Sequence, residues 1–530
     1  MHLTGPEILR AVRKHGSERA AARALGIPRT TFQEAHWKAK DEKFAEPRFV
    51  RRDKLSARKP PKRGKGQITR YILSSVQDTT EVHEGFIENL EAYARFLDAE
   101  ILIAGFTYNK SLFEDHSKRK AVFHARVAPY LTNERVELAP GIVFCGEVNI
   151  SPSSVNPLSG FETYTRGAWG VFPHPRVCMR SVATMFREPA KHIFTTGAVS
   201  LTNYIPKAAG FRAEFHHVIG ALIVEITPDD EVFVRQIIAE DSGAFQDLGT
   251  RVVSGMIYEN QRVEAITWGD IHLEQIDPDV QNGAWGANGM LDRLMPSYQF
   301  MHDTLDFKAR NHHNARDPHH LFAQFVHMED GVEKAIENCA EFLSSTSRDW
   351  CQTVVVESNH DLMLRRWLKE GDYRNDPANA LFFLRMQTAM YEAILDDKDP
   401  FSPFEYACKQ VLPLREIIFL DESDSFRICG DIENGLHGHR GANGARGSML
   451  SFAKMGPKVN VGHTHSCGIY EGVYCAGTSS KLDMGYNRGG LSSWSHTHIV
   501  TYASGKRTLV TMIDGAWSAA DYMDRKKKRK

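Results

Sequence analysis

The chain has 530 residues, 42% hydrophobic and 25% charged, with a net charge of -1; this is the balance of a soluble globular protein, with two to four domains at roughly 100–200 residues each. No run approaches the roughly 18 apolar residues that span a bilayer, and Met1-His2-Leu3-Thr4-Gly5-Pro6 lacks the apolar core of a signal peptide, so no membrane association is expected and a cytoplasmic location is. Eight cysteines without a C-x-x-C pair exclude a zinc ribbon and a disulfide framework; reduced thiols with no disulfide partner are expected.

The net charge conceals an asymmetry. Residues 1–66 hold 18 Lys and Arg against 7 Asp and Glu, the last six residues are all basic, and the stretch between carries 41 basic and 59 acidic side chains. An acidic body with two basic ends suggests ends that hold a polyanion.

In chain order, Ile8, Leu9 and Val12 mark a short amphipathic helix, Ser17 can cap a second over Glu18 to Leu25, Gly26 breaks it, and a third begins near Pro28 with Phe32 and Trp37 facing inward. Residues 1–40 thus resemble a helix-turn-helix of the bacterial and phage regulator type: alanines where helices cross, Gly in the turn, and Arg29, Thr30, Thr31 and Gln33 opening the helix that would bind DNA. A basic linker rich in Pro, Lys and Arg follows over 41–66.

Residues 67–260 read as an additional α/β domain. Tyr71-Ile72-Leu73, a helix over Glu84 to Leu97 and Ile101 to Phe106 form a strand–helix–strand unit, and Glu137 to Phe144 and Ala221 to Ile226 are again strand-like. His216, His217, Glu225 and Thr195-Thr196-Gly197 match no catalytic spacing, so this part is expected to be a scaffold or substrate platform.

From Val263 onward, apolar runs deliver polar residues at their carboxyl ends, where α/β folds place their chemistry: Asp270-Ile271-His272, Asp303, Asn359-His360-Asp361, His437-Gly438-His439 and Gly462-His463-Thr464-His465. This order of D-x-H, D, N-H-D, H-G-H and G-H-x-H resembles the calcineurin-like dinuclear metallophosphoesterases, which include purple acid phosphatases and SbcD-type nucleases. The resemblance implies a four-layer α/β sandwich over 261–517; the residues after it, 518–530, read from their composition as a basic tail. It implies that Asp270, His272 and His465 hold one metal, that Asn359, His437 and His463 hold the other, and that Asp303 bridges both. A hydroxide between the two ions would then attack phosphorus. His360 would protonate the leaving oxygen, with Asp361 holding its ring. The N/O ligand set suits Mn²⁺, with Fe or Zn²⁺ as alternatives. His302 and Ser358 stand where the family usually has glycine, and a side chain there is costly if the backbone needs positive φ.

The N-H-D pattern and the basic ends favour a nucleic-acid phosphodiester, most of all DNA. The arrangement also resembles the host-DNA-degrading early proteins of some tailed phages, which implies a Mn²⁺-dependent DNase in the infected cytoplasm. A nucleotide or small-molecule phosphatase, or a DNA-binding regulator with a structural phosphoesterase core, are the alternatives; the sequence leaves the oligomeric state open.

Overall fold

The computed structural model describes residues 8, 11–12, 14–45, 49–51, 66–108, 121–186, 188–314, 316–398 and 401–529. Most of the basic linker expected over 41–66, part of the first helix and Lys530 lie outside the described residues.

The chain is a mixed α/β protein built on sheets of six, ten and four strands. In the six-stranded sheet, Ile417–Leu420, Gln352–Val356, Tyr298–His302 and Ala265–Thr267 run parallel; Thr497–Thr501 and Arg507–Thr511 complete it antiparallel. Strand alternation explains how this sheet is packed. Ile266, Met301, Val355, Val500 and Val510 point to a core shared with the helices Val332–Thr346, Asp361–Glu370 and Pro403–Val411. Their neighbours Ala265, Phe300, Val354, Ile499 and Leu509 point the other way, onto Ile428, Ile432, Ile469 and Tyr474 of the ten-stranded sheet.

The division expected at residue 260 does not follow the sheets. In the ten-stranded sheet, Met179–Val182 pairs with Gly468–Tyr470, so strands from residues 135–195 and 427–475 share one set of ladders. The four-stranded sheet is joined to the six-stranded one through Gln236, whose backbone N–H donates to Thr508 Oγ1 at 2.9 Å and whose Oε1 accepts from the Leu509 N–H at 2.8 Å. Within it, Thr69–Gln77, Glu84–Leu97 and Ala99–Phe106 form the expected strand–helix–strand unit with its strands parallel. Glu137 to Phe144 is not one strand: Pro140-Gly141 turns the chain, and Arg135–Ala139 pairs antiparallel with Ile142–Cys145.

Near the amino terminus, Ser17 Oγ accepts from the Ala20 N–H and caps Glu18–Ala24, and Gly26 turns the chain at φ +66° into Arg29–Ala45. Ala21, Ala22 and Phe32 are buried together. Trp37, expected inward, is 55% exposed, and His36 is buried instead, with Nδ1 2.7 Å from Glu18 Oε1. Helical geometry accounts for the exchange, because position i+4 returns to the face of Phe32 whereas i+5 does not. The tail is helical over Ala519–Arg529, with Arg525 paired to Asp521 and Lys526 to Asp229. No helix of the described residues is long and apolar enough to cross a membrane.

Candidate metal centre

Five strands end at one place. Ala265–Thr267 leads to Asp270 and His272, Tyr298–His302 to Asp303, Gln352–Val356 to Asn359 and His360, Ile432–Glu433 to His437, and Lys458–Val461 to His463 and His465. The turns are tight. A Cβ on Gly462 would fall 2.2 Å from Asp270 Oδ1, and one on Gly269 would fall 2.8 Å from the Gly477 and Thr478 backbone. Four of the converging residues have left-handed backbones: His272 at φ 45°, Asp303 at 46°, His463 at 73° and His465 at 55°. Each such conformation costs about 1–2 kcal/mol in a residue with a Cβ, and strain of this kind gathers where a structure has a task to perform. His302 and Ser358 show no positive φ, so the strain expected at the two replaced glycines lies on the polar residues themselves.

The first group of side chains is Asp270, His272, Asp303 and His465, all buried, with their ligand atoms within 4.8 Å of one another. Asp270 Oδ2 is 3.1 Å from His465 Nε2, His272 Nε2 is 3.0 Å from the same nitrogen, and Asp303 Oδ2 is 3.5 Å from His272 Nε2. The His463 N–H donates to Asp270 Oδ2 at 2.8 Å, while Asp270 Oδ1 is buried without a hydrogen-bond partner. Carboxylate and imidazole lone pairs converging on one buried point can hold a divalent cation. In the second group, Asn359 Oδ1 is 3.0 Å from His437 Nε2 and 3.1 Å from His463 Nδ1. Asp303 Oδ2 joins the two, at 3.3 Å from His437 Nε2. His463 and His465, with one residue between them, thus reach different groups.

Two carboxylates that the sequence reading missed stand behind these groups. Asp306 Oδ1 is 3.1 Å from His272 Nδ1 and 3.4 Å from His360 Nδ1, and the Asp306 carbonyl is 2.8 Å from His360 Nδ1. Glu274 in turn accepts the backbone N–H groups of Asp306, Phe307 and Lys308 at 2.9, 2.8 and 3.2 Å. The spacing Asp303-Thr304-Leu305-Asp306 was the available signal. Asp361, expected to hold the His360 ring, does not touch it: its Oδ2 accepts from the Ser358 N–H at 3.1 Å and the Ser358 hydroxyl at 2.8 Å. As the first residue of Asp361–Glu370 its side chain folds back onto the loop before the helix, and Ser358, where glycine was expected, supplies the hydroxyl. His439 pairs with Glu422 at 2.8 Å, and His302 lies against His437 with its Nδ1 3.4 Å from that ring's Nδ1.

Electrostatics follow from this crowding. Burial disfavours charge on Asp303, but His437 and His360 outweigh it and hold the carboxyl well below the usual range. Burial likewise opposes protonation of His360, yet Asp303 and the hydrogen bond to Asp306 raise it to about 10. His437 is raised by Asp303 and Asp270 against the opposing effect of burial. Burial lowers His463 to about 4, aided by the charge of His437. Burial, reinforced by Asp303, pushes Asp361 up to about 7.

Elsewhere, Arg29, Thr30 and Thr31 are exposed along one end of Arg29–Ala45, whereas Gln33 is half-buried and donates to Glu18 Oε2 at 3.3 Å. His217 is held between Tyr204 and the Ser200 carbonyl, and Glu225 by Arg70 and Arg235, so both have structural partners.

No family model matches the chain. Over 466 residues, which are 86% of this chain and 83% of the relative, it is 40% identical to Protein A1 of Escherichia phage T5.

Proposed function

The chain belongs to the family of Protein A1 of Escherichia phage T5, and from that premise and the geometry of its buried Asp/His groups we propose that it is a metal-dependent phosphodiesterase acting on DNA. The observation that carries this reading is the position of Asp303 Oδ2, 3.5 Å from His272 Nε2 and 3.3 Å from His437 Nε2, common to both groups of donors. Asp270, His272 and His465 would hold one cation and Asn359, His437 and His463 a second, with Asp303 between them. Asp270 Oδ1, buried without a hydrogen bond among the described residues and 3.9 Å from His437 Nδ1, fits such occupancy, because a buried carboxylate oxygen that accepts no hydrogen bond is costly. Two divalent cations bound there, with Mn²⁺ the best match to the donor set and Fe or Zn²⁺ also compatible, supply a nucleophile at neutral pH and take up charge on the phosphoryl oxygens.

The protein's own groups do the remaining work. His360 donates a proton to the leaving oxygen, and Asp306, accepting from its Nδ1, fixes the ring and favours its charged form. His360 must carry its proton to act as a general acid, and the carboxylates of Asp303 and Asp306 favour that form. The same Asp306 accepts from His272 Nδ1 and so fixes which nitrogen of that ring faces the centre.

Helices on one face of the six-stranded sheet and the ten-stranded sheet on its other face are compatible with a calcineurin-like sandwich, and the helices around Ala21, Ala22 and Phe32 would form a helix-turn-helix that presents Arg29, Thr30 and Thr31 to DNA. With the basic ends, this module raises affinity for DNA through phosphate contacts without taking part in hydrolysis. A phage relative is compatible with action in the infected host's cytoplasm. The test is to incubate purified protein and Mn²⁺ with linear and circular DNA and with mononucleotides. Hydrolysis of DNA, abolished by Asp303→Ala or His465→Ala and weakened by deletion of residues 1–66, supports the reading. Intact DNA beside hydrolysed mononucleotides would replace it with a nucleotide phosphatase.

A further inference from the structure

Beside the centre stands an aromatic pair for which the metal chemistry has no use. The Trp494 ring meets His465 edge to face, with centroids 4.3 Å apart, and Tyr486 meets Trp494 in the same manner at 5.8 Å. Tyr486 is 65% exposed; among the described residues its hydroxyl reaches Met484 Sδ, at 3.6 Å. Its loop runs through Gly485 at φ +88° and Gly489 at φ +85°, and carries exposed Lys481 and an exposed Arg488 that is paired with Asp483 at 2.8 Å. The loop is anchored at the centre, since the Ser479 N–H donates to the Asp270 carbonyl at 2.8 Å.

Tyr486 is exposed, and half-buried Trp494 joins it to the imidazole beside Asp270, so the pair stands at the edge of the centre. The flat faces of Trp and Tyr beside cationic side chains are the surface that unpaired bases stack on, with their phosphates held by charge. Building on the phosphodiesterase reading, we propose that Trp494 and Tyr486 form a stacking shelf for the nucleobase adjoining the scissile phosphate, so that the favoured substrate is a single-stranded or frayed segment whose base is free to leave its stack. The shelf positions substrate; it takes no part in proton transfer. Because every base has such a face, the shelf confers little base preference.

The test compares two diesters under Mn²⁺ with the full chain: thymidylyl-thymidine, and the same sugar–phosphate–sugar unit without bases. Wild type is expected to hydrolyse the base-bearing diester with a kcat/KM about ten- to a hundredfold higher, chiefly through KM. Tyr486→Ala and Trp494→Ala should erase that preference, the base-bearing diester losing its advantage over the base-free one; Tyr486→Phe and Trp494→Phe should keep it. Should Trp494→Ala fold poorly, exposed Tyr486 carries the test alone. Equal rates on the two diesters in wild type, or a preference that survives Tyr486→Ala, would overturn the shelf and leave the phosphodiesterase reading intact. If wild type hydrolyses DNA but neither diester, the shelf falls and the phosphodiesterase reading stands; if it hydrolyses none of the three, both readings fall.

Discussion

Asp306 Oδ1 lies 3.1 Å from Nδ1 of His272, on the side of that ring opposite the nitrogen that faces Asp303 and His465. One buried carboxylate therefore sets the orientation of an imidazole in the first donor group and, 3.4 Å away, that of His360.

Substituting Asp306→Asn keeps the shape and removes the charge. Metal affinity is expected to fall by about 10–100-fold, as when other partners behind metal-binding histidines are lost. Calorimetric titration with Mn²⁺ checks this. On the proposed mechanism the alkaline limb of the pH–rate profile belongs to His360: Asp306 raises its proton affinity, so the variant should lose activity at a lower pH on the alkaline side than wild type.

Gly462→Ala offers a steric test. The added methyl would sit 2.2 Å from Asp270 Oδ1, so the carboxylate must leave its position against His465. Overpacking of this kind costs about 1–3 kcal/mol. The expected outcome is a folded protein by circular dichroism that binds less than the wild-type complement of metal.

Away from the centre, Arg235 is buried between Asp247 Oδ1 at 2.7 Å and Glu225 Oε2 at 2.8 Å. Burial raises the proton affinity of Glu225, but Arg235 and Arg70 outweigh it, so its folded value lies below 4.5. Its stabilisation is therefore present above that unfolded value and is lost as pH falls through the folded one. Arg235→Ala should cost about 3–5 kcal/mol at pH 7, because it strands buried carboxylates, and distinctly less near pH 4. Denaturant titrations at the two pH values decide it.

In the amino-terminal helices, Phe32→Ala should unfold the module, since a buried Phe→Ala change costs about 3–5 kcal/mol and its core is small. Trp37→Ser should stay within about 0.5 kcal/mol. Both variants should hydrolyse short DNA at the wild-type rate, with only Phe32→Ala weakening DNA retention in a filter-binding assay.

Much of this was legible because strand ends are marked by apolar runs. Val354 to Val356 and Val459 to Val461 announce their strands, and the polar residues that follow fall where the chain leaves the sheet. The Asp306 pairing was not legible, since which carboxylate meets His360 depends on two loops crossing, and Asp361, adjacent in sequence, was the nearer choice. Nor could the joint ten-stranded sheet be read: the pairing of Met179 with Ile469 is a contact across 290 positions that leaves no local periodicity. Trp494 was invisible for a related reason, since an aromatic residue in a Gly- and Ser-rich loop says nothing about the imidazole it meets. The exchange of Trp37 for His36, by contrast, was available from the helical period alone.

The claim at the centre of the account is that Asp303 links two cation sites. Mn²⁺ titration of metal-free protein, followed by calorimetry and by electron paramagnetic resonance, addresses it directly. Two ions per chain with spin coupling in wild type, and loss of both the coupling and DNA hydrolysis in Asp303→Ala, is the expected result; a single uncoupled ion in wild type, or undiminished hydrolysis by Asp303→Ala, would contradict it.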